Sequence, residues 1–255
     1  MADINETQLE NKIKDIRRFW DERARTFRTD PTATLGDRLL KDIEVREIIK
    51  FIDNEQTVLD CGCGNGTSTL QIARRRTVDL IGVDYSEEML RMAEINLEQV
   101  KPELKGNVRF ERGDVLNLTF KEGTFDTVIT MRCLQNLPSF DLQKQAILSI
   151  KGLLKTGGRF LMLECSNDGL RQLNKVLTWV GREPLSPPWH NLFFNDRDLF
   201  RLSDEHSFPL IKTINVSGVY QLLALCVQHR VRWLAKILPC FLNTGYHKLY
   251  IWEKE

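Results

Sequence analysis

The stretch "VLDCGCGNGTSTL", residues 58–70, decides how the rest of the chain reads. A short apolar run ends in an acid, Asp60. Gly62, Gly64 and Gly66 follow at alternate positions, and a polar, helix-compatible run comes next. A glycine turn between a buried strand and a helix frees the backbone to take left-handed conformations. It also lets a ligand approach both the backbone and the helix N-terminus. The next acid at a strand end is Asp84, 24 residues after Asp60. A carboxylate there can accept both hydrogen bonds of a ribose diol.

On either side of this loop the pattern alternates short strands with longer helices. Strands are expected at 57–60, 78–84, 108–114, 125–132 and 159–164, the last entered through a "KTGG" turn. Helices are expected at 67–75, at 86–100 capped by Ser86, and at 140–154 capped by Ser139. Such spacing predicts βαβ units and a mainly parallel sheet with helices on both faces. Ahead of this core, Leu9, Ile13, Ile16, Trp20, Ala24 and Phe27 recur at helical steps, with Thr7 and Glu10 at capping-box spacing. A second helix is expected at 36–51. Beyond Glu164 come helices at 168–180 and 196–208, a proline-rich aromatic loop at 181–194, strands at 210–218 and 247–254, and a helical stretch at 219–238. With no internal repeat or low-complexity linker, the chain reads as one domain over 1–255. Its parts are a helical lid (1–51), a cofactor-binding core (52–164) and cap elements with the last two strands (165–255).

Bulk properties narrow the classes. The 255 residues are 42% hydrophobic, and the net charge is +1 with 28% charged residues, so nucleic acid is not an expected partner. The first residues are polar and charged, unlike a secretory signal, and no apolar run reaches the roughly 18–20 residues that span a bilayer. With six cysteines and no disulfide-like spacing, a cytoplasmic protein with reduced thiols is expected. Cys61 and Cys63 lack the second Cys/His pair a zinc site needs, and no metal is expected.

The dinucleotide pattern G-x-G-x-x-G fails here, because the third glycine falls one position early and Thr67 stands in its place. Asp60 would also repel a pyrophosphate; a cationic, amino-acid ligand end suits it better. At these residues the sequence resembles the class I S-adenosylmethionine-dependent methyltransferases. "VLDCGCGNG", "IGVDYSEEML", "RGDVLNL", "FDTVITMRCLQNLP" and "LLKTGGRFLMLE" match that family's features in order across about residues 57–164. The resemblance implies a Rossmann-like α/β three-layer sandwich. Its mostly parallel seven-stranded sheet would have the order 3-2-1-4-5-7-6, with N-terminal helices and a C-terminal helical insertion as cap. It implies S-adenosyl-L-methionine as cofactor, S-adenosyl-L-homocysteine as product, and transfer by in-line displacement to an O or N atom. It also implies that Asp60 sits near the methionyl amine and that Gly62 and Gly64 give backbone access. Asp84 would hold the ribose, with Tyr85 and Met89 packed near the adenine. Asp114 and the Val115 amide would face the adenine, and Met131 and Arg132 the sulfonium or methionyl end. Trp20 would touch the cofactor from the lid, or simply pack on the core.

For the acceptor, His190 in "PPWHN" is the candidate base, with Glu164 and Asn136 as alternative base and orienting group. Packing or capping is the plainer reading of His190. From His206 through Trp252 there is no Asp or Glu, while Lys212, Arg230, Arg232, Lys236 and Lys248 are present. This charge motivates an anionic acceptor, such as a nucleotide-activated or phosphate-bearing glycan precursor, and peripheral contact with an anionic membrane through 219–248, against a plain cap with solvated cations. The stretches "RCLQNLPSFDLQKQAI" and "PPWHNLFF" also resemble a bacterial methyltransferase subgroup associated with polysaccharide or natural-product pathways, which implies a saccharide or other small-molecule acceptor. The competing readings are an NAD(P)-dependent oxidoreductase and a non-catalytic cofactor-binding scaffold.

Overall fold

A computed structural model describes residues 6–225 and 244–255. Seven strands join one sheet in the order β3-β2-β1-β4-β5-β7-β6, as expected. They are β1 (Thr57–Cys61), β2 (Asp79–Asp84), β3 (Asn107–Arg112), β4 (Phe125–Met131), β5 (Leu154–Cys165), β6 (Leu210–Asn215) and β7 (His247–Glu253). β7 runs antiparallel to both β5 and β6, and the other pairings are parallel. The helices are α1 (Glu6–Phe27), α2 (Arg38–Ile49), α3 (Thr67–Ala73), α4 (Glu87–Val100), α5 (Phe140–Leu153), α6 (Asn167–Trp179), α7 (Asp196–Glu205) and α8 (Gly218–Leu225).

Strand residues of opposite parity feed two different cores, because successive side chains leave opposite faces of a sheet. Val58, Leu80, Ile129, Leu161 and Ile251 pack on one face with Leu40, Ile43 and Ile48 of α2. Leu59, Ile81, Val128, Phe160 and Trp252 pack on the other with Ile147 and Ile150 of α5 and Leu199 of α7. With both faces covered, the central strands have no room for polar residues except at their ends. That is why the chemistry collects at their carboxyl tips.

The expected caps at Ser86 and Ser139 form, each hydroxyl accepting from the third helical amide, Met89 and Leu142 respectively. Three expectations change. α1 begins at Glu6, ahead of the expected Thr7 cap, so Thr7 lies inside the helix. The "KTGG" turn is absorbed into β5. The strand runs from Leu154, Gly157 takes φ +74°, and the register with β4 shifts between Phe125 and Thr127. β6 ends at Asn215 rather than 218, because α8 starts at Gly218. Most of the 219–248 stretch expected to meet a membrane, with Arg230, Arg232 and Lys236, lies outside the described residues. Of the two described cations of that tail, Lys248 pairs with Asp196, and Lys212 sits 5.4 Å from the Phe51 ring centroid. No helix among the described residues is long and apolar enough to cross a membrane.

Candidate active site: two cavities with a common wall

A cavity of about 110 Å³, partly open to solvent, lies over the carboxyl ends of β1, β2 and β4. α1 covers it with Ile13, Ile16, Arg17 and Trp20. Of the sequence-predicted cofactor residues, Gly62, Gly64, Asp84, Tyr85, Met89 and Asp114 line it. Val115, Met131, Arg132, Trp20 and Asn136 line it as well. Asp60 does not. It is 2% exposed, lies behind the glycine loop and accepts from Thr69 Oγ1 at 2.6 Å.

The loop is a cradle only glycine can make. Gly62 and Gly64 have φ of +74° and +55°. A Cβ on Gly62 would lie 2.7 Å from Cys133 Cβ, and one on Gly64 would lie 2.6 Å from Thr34 Cγ2. Asp84, 8% exposed, accepts from the Gly64 N–H at 2.8 Å and the Ser86 N–H at 2.9 Å. Each bond uses one oxygen, and a carboxylate has about four lone-pair sites, so acceptor capacity remains for a diol. Burial pushes Asp84 up to about 6 against the pull of those amides, and burial likewise pushes Asp60 up to about 6. At the far end Asp114 accepts from the Leu116 N–H at 3.0 Å and pairs with Arg17 of α1. The Arg17 guanidinium also lies 5.1 Å from the Tyr85 ring centroid. Tyr85 Oη is buried without a hydrogen-bond partner in this cavity wall. Cradle, carboxylates and orphaned hydroxyl fit a nucleoside with a polar tail.

A second cavity, about 240 Å³, shares Trp20, Thr34 and Arg132 with the first. Rings dominate it: Phe19, Trp20, His190, Phe193, Tyr246 and His247. His190 stacks on Phe19 at 4.4 Å between centroids and meets Trp20 edge-on at 5.7 Å. Its Nδ1 is buried without a partner, and burial, with Arg23 adding, lowers its pKa, so the ring is neutral near pH 7. Asn136 fixes Trp20 by accepting from its indole N–H at 3.3 Å, and is itself held by the Arg132 carbonyl at 2.8 Å. Glu164 lines neither cavity. It is fully buried and accepts from the Cys133, Leu134 and Gln135 amides at 3.0, 3.0 and 3.2 Å. Burial pushes it up to about 7 against those bonds. It anchors the turn that carries Cys133 and Asn136 to the cavities.

The wall between the cavities is built on strain and buried charge. Arg132 has φ +56°, in the left-handed region that costs a non-glycine residue about 1–2 kcal/mol. Its side chain, 9% exposed, pairs with fully buried Glu44, and its Nε has no partner. Glu44 Oε1 is also 2.5 Å from His247 Nδ1. Lys41, one turn before Glu44 on α2, bonds Thr34 Oγ1 at 2.8 Å, and burial lowers it to about 7. The sequence reading missed Lys41, Glu44 and His247. The available signal was a carboxylate and an ammonium inside the apolar spacing Leu40–Ile43–Ile48, and a histidine opening an alternating strand. Among the described residues, no group of three or more His, Cys, Asp and Glu side chains is placed to hold a metal ion.

A family model described as a methyltransferase domain matches residues 52–185, just over half of the chain. The chain belongs to this family, and its sheet order is that of the class I, S-adenosylmethionine-dependent methyltransferases. The demethylmenaquinone methyltransferase of Lactiplantibacillus plantarum is 34% identical over 124 residues, 48% of this chain and 50% of the relative. Its namesake from Staphylococcus aureus strain MRSA252 is 28% identical over 172 residues, 67% of this chain and 66% of the relative. The matches thus span half to two thirds of these relatives' length. In fold, the chain is similar to the geranyl diphosphate C-methyltransferase of Streptomyces coelicolor A3(2), with TM-score 0.63, 13% identity, and 96% and 98% of the two chains covered.

Proposed function

We propose that this chain transfers the methyl group of S-adenosylmethionine to a planar aromatic small molecule seated in the second cavity. The observation that carries this reading is the ring-lined cavity joined to the glycine-loop cavity through Trp20, Thr34 and Arg132. When bound, S-adenosylmethionine supplies a methyl group on a positively charged sulfur, an electrophile that needs alignment more than activation. The chain's own residues do the aligning. Asp84 grips the ribose, Asp114 and the Val115 amide meet the adenine, and Met131 and Arg132 flank the methionyl end. Asp60, buried behind the loop, adds negative charge close to that end without lining the cavity. Phe19, Trp20 and His190 hold the acceptor by stacking and exclude water.

The saccharide or phosphate-bearing acceptor expected from the basic tail fits less well. Arg23, the other arginine of the second cavity, is committed to the Ala33 and Thr32 carbonyls, each at 2.6 Å. Among the described residues that leaves little free positive charge for an anion, while the rings suit a flat apolar acceptor. The curated relatives, named for demethylmenaquinone, agree with a quinone-type ring. Incubation with S-adenosylmethionine and demethylmenaquinol, in parallel with nucleotide-sugars, tests this by mass spectrometry. A gain of one methyl group on the quinol is expected; methylation of the sugars alone would overturn it.

A further inference from the structure

His247 and Glu44 form a pairing that the roles assigned so far do not use. His247 opens β7, 3% exposed, and lines the second cavity. Its Nδ1 meets Glu44 Oε1 at 2.5 Å, and Glu44 Oε2 pairs with Arg132. Burial works to raise the Glu44 carboxyl, but Arg132 and His247 outweigh it and hold it below the usual carboxylate range. Glu44 is therefore an anion, an acceptor only. Nδ1 is therefore the donor between the two, which leaves Nε2 as the ring nitrogen not engaged by Glu44. A carboxylate that orients an imidazole and stabilises the imidazolium it becomes is the arrangement by which histidine acts as a general base. The Tyr246 ring, 4.7 Å from the His247 ring, packs against it within the same cavity wall.

We propose that His247 is the general base that deprotonates the methyl acceptor, with Glu44 as its positioning residue. This rests on the aromatic-acceptor reading above. The acceptor's O–H bond breaks, its proton joins Nε2, and the electron pair left on the oxygen, or on a conjugated ring carbon, forms the bond to the methyl carbon. With S-adenosylmethionine bound, the pair of the broken S–C bond would stay on sulfur, giving a neutral thioether. On the oxygen route the imidazolium passes its proton to water. On the carbon route the imidazolium returns its proton to the acceptor oxygen, and the ring proton leaves to water as the ring regains aromaticity.

Turnover of demethylmenaquinol by the unaltered protein tests the acceptor reading alone, and methylation of nucleotide-sugars in its place refutes that reading without touching the dyad. The dyad is tested on the unaltered protein by mapping diethyl pyrocarbonate adducts, which form on neutral, accessible imidazole nitrogens. Labelling of His247 is expected, and an unlabelled His247 beside a labelled His190 would overturn the proposal. With turnover in hand, His247→Ala should lower kcat about 100-fold or more and leave S-adenosylhomocysteine affinity within about twofold, with added imidazole restoring activity. Glu44→Gln should lower kcat more than it raises KM. If the pair only braces α2 against β7, both variants lose cofactor affinity and melting temperature together with kcat, imidazole restores nothing, and the proposal fails.

Discussion

The two cavities meet at one wall yet are assembled in opposite ways. The cofactor cavity takes most of its lining from strand ends and the turns directly after them, in chain order: Gly62 and Gly64 after β1, Asp84 and Tyr85 after β2, Asp114 after β3, Arg132 after β4. The second cavity, proposed to seat the acceptor, collects Phe19 from α1, Gln135 from a turn, His190 and Phe193 from a proline-rich loop, and Tyr246 and His247 from the entry to β7. Backbone geometry defines the first, and side chains brought together only by the completed sheet define the second. The first therefore tolerates few changes anywhere in its loop, while the second depends on side chains from distant segments, several of them buried, such as Gln135, Phe193 and His247.

The sharpest way to break this contrast is at Asp84. Asp84→Ala should weaken S-adenosylhomocysteine binding about 100-fold by calorimetry, the scale of losing charge-assisted hydrogen bonds, while leaving the aromatic cavity intact. Acid should act on the same residue. Asp84 holds its proton up to about 6, and the protonated form loses the anionic acceptor. Affinity should then be flat above that value and fall about tenfold per unit below it; a flat profile down to pH 4.5 would detach Asp84 from the cofactor. On the acceptor side, Phe19→Ala removes the ring stacked on His190 at 4.4 Å. It should raise acceptor KM about tenfold, in line with about 0.5–1.5 kcal/mol per aromatic pair plus lost burial, and leave cofactor affinity unchanged. Gly62→Ala should cost about 1–2 kcal/mol of stability for its left-handed backbone alone, measured by urea denaturation, and cofactor affinity should fall with it. The smallest effect belongs to Arg17→Ala. Its ion pair with Asp114 is half exposed, so stability should move by less than about 1 kcal/mol. Cofactor affinity should stay level or rise slightly as Asp114 is released.

Legibility in the sequence follows the same division. The Ser86 and Ser139 caps could be read because each depends on neighbours a few positions away; the sheet order and the lining residues of the glycine-loop cavity were expected only through the family resemblance, since both join segments far apart in the chain. Asp60 illustrates the limit: its place in the strand was legible, but its turn toward Thr69 depends on how α3 packs. Glu164 read as a candidate base because a strand-end carboxylate looks available; only the fold brings three backbone amides to it. Glu44 and His247 lie 203 positions apart, and neither residue alone carries a signal that the other will be there. The "KTGG" segment misled for a different reason, because glycines that favour a turn also permit the kinked strand that β5 uses.

The placement of β7 has a consequence for how the molecule is born. It lies between β5 and β6, so the sheet stays split until Glu253 has left the ribosome. Strands β1 to β5 can pair earlier in synthesis, and with them the glycine loop reaches its final surroundings. A chain halted before residue 247 would hold every residue of the glycine loop yet lack His247 in the neighbouring cavity and the β7 side chains Leu249, Tyr250, Ile251 and Trp252 that complete both cores.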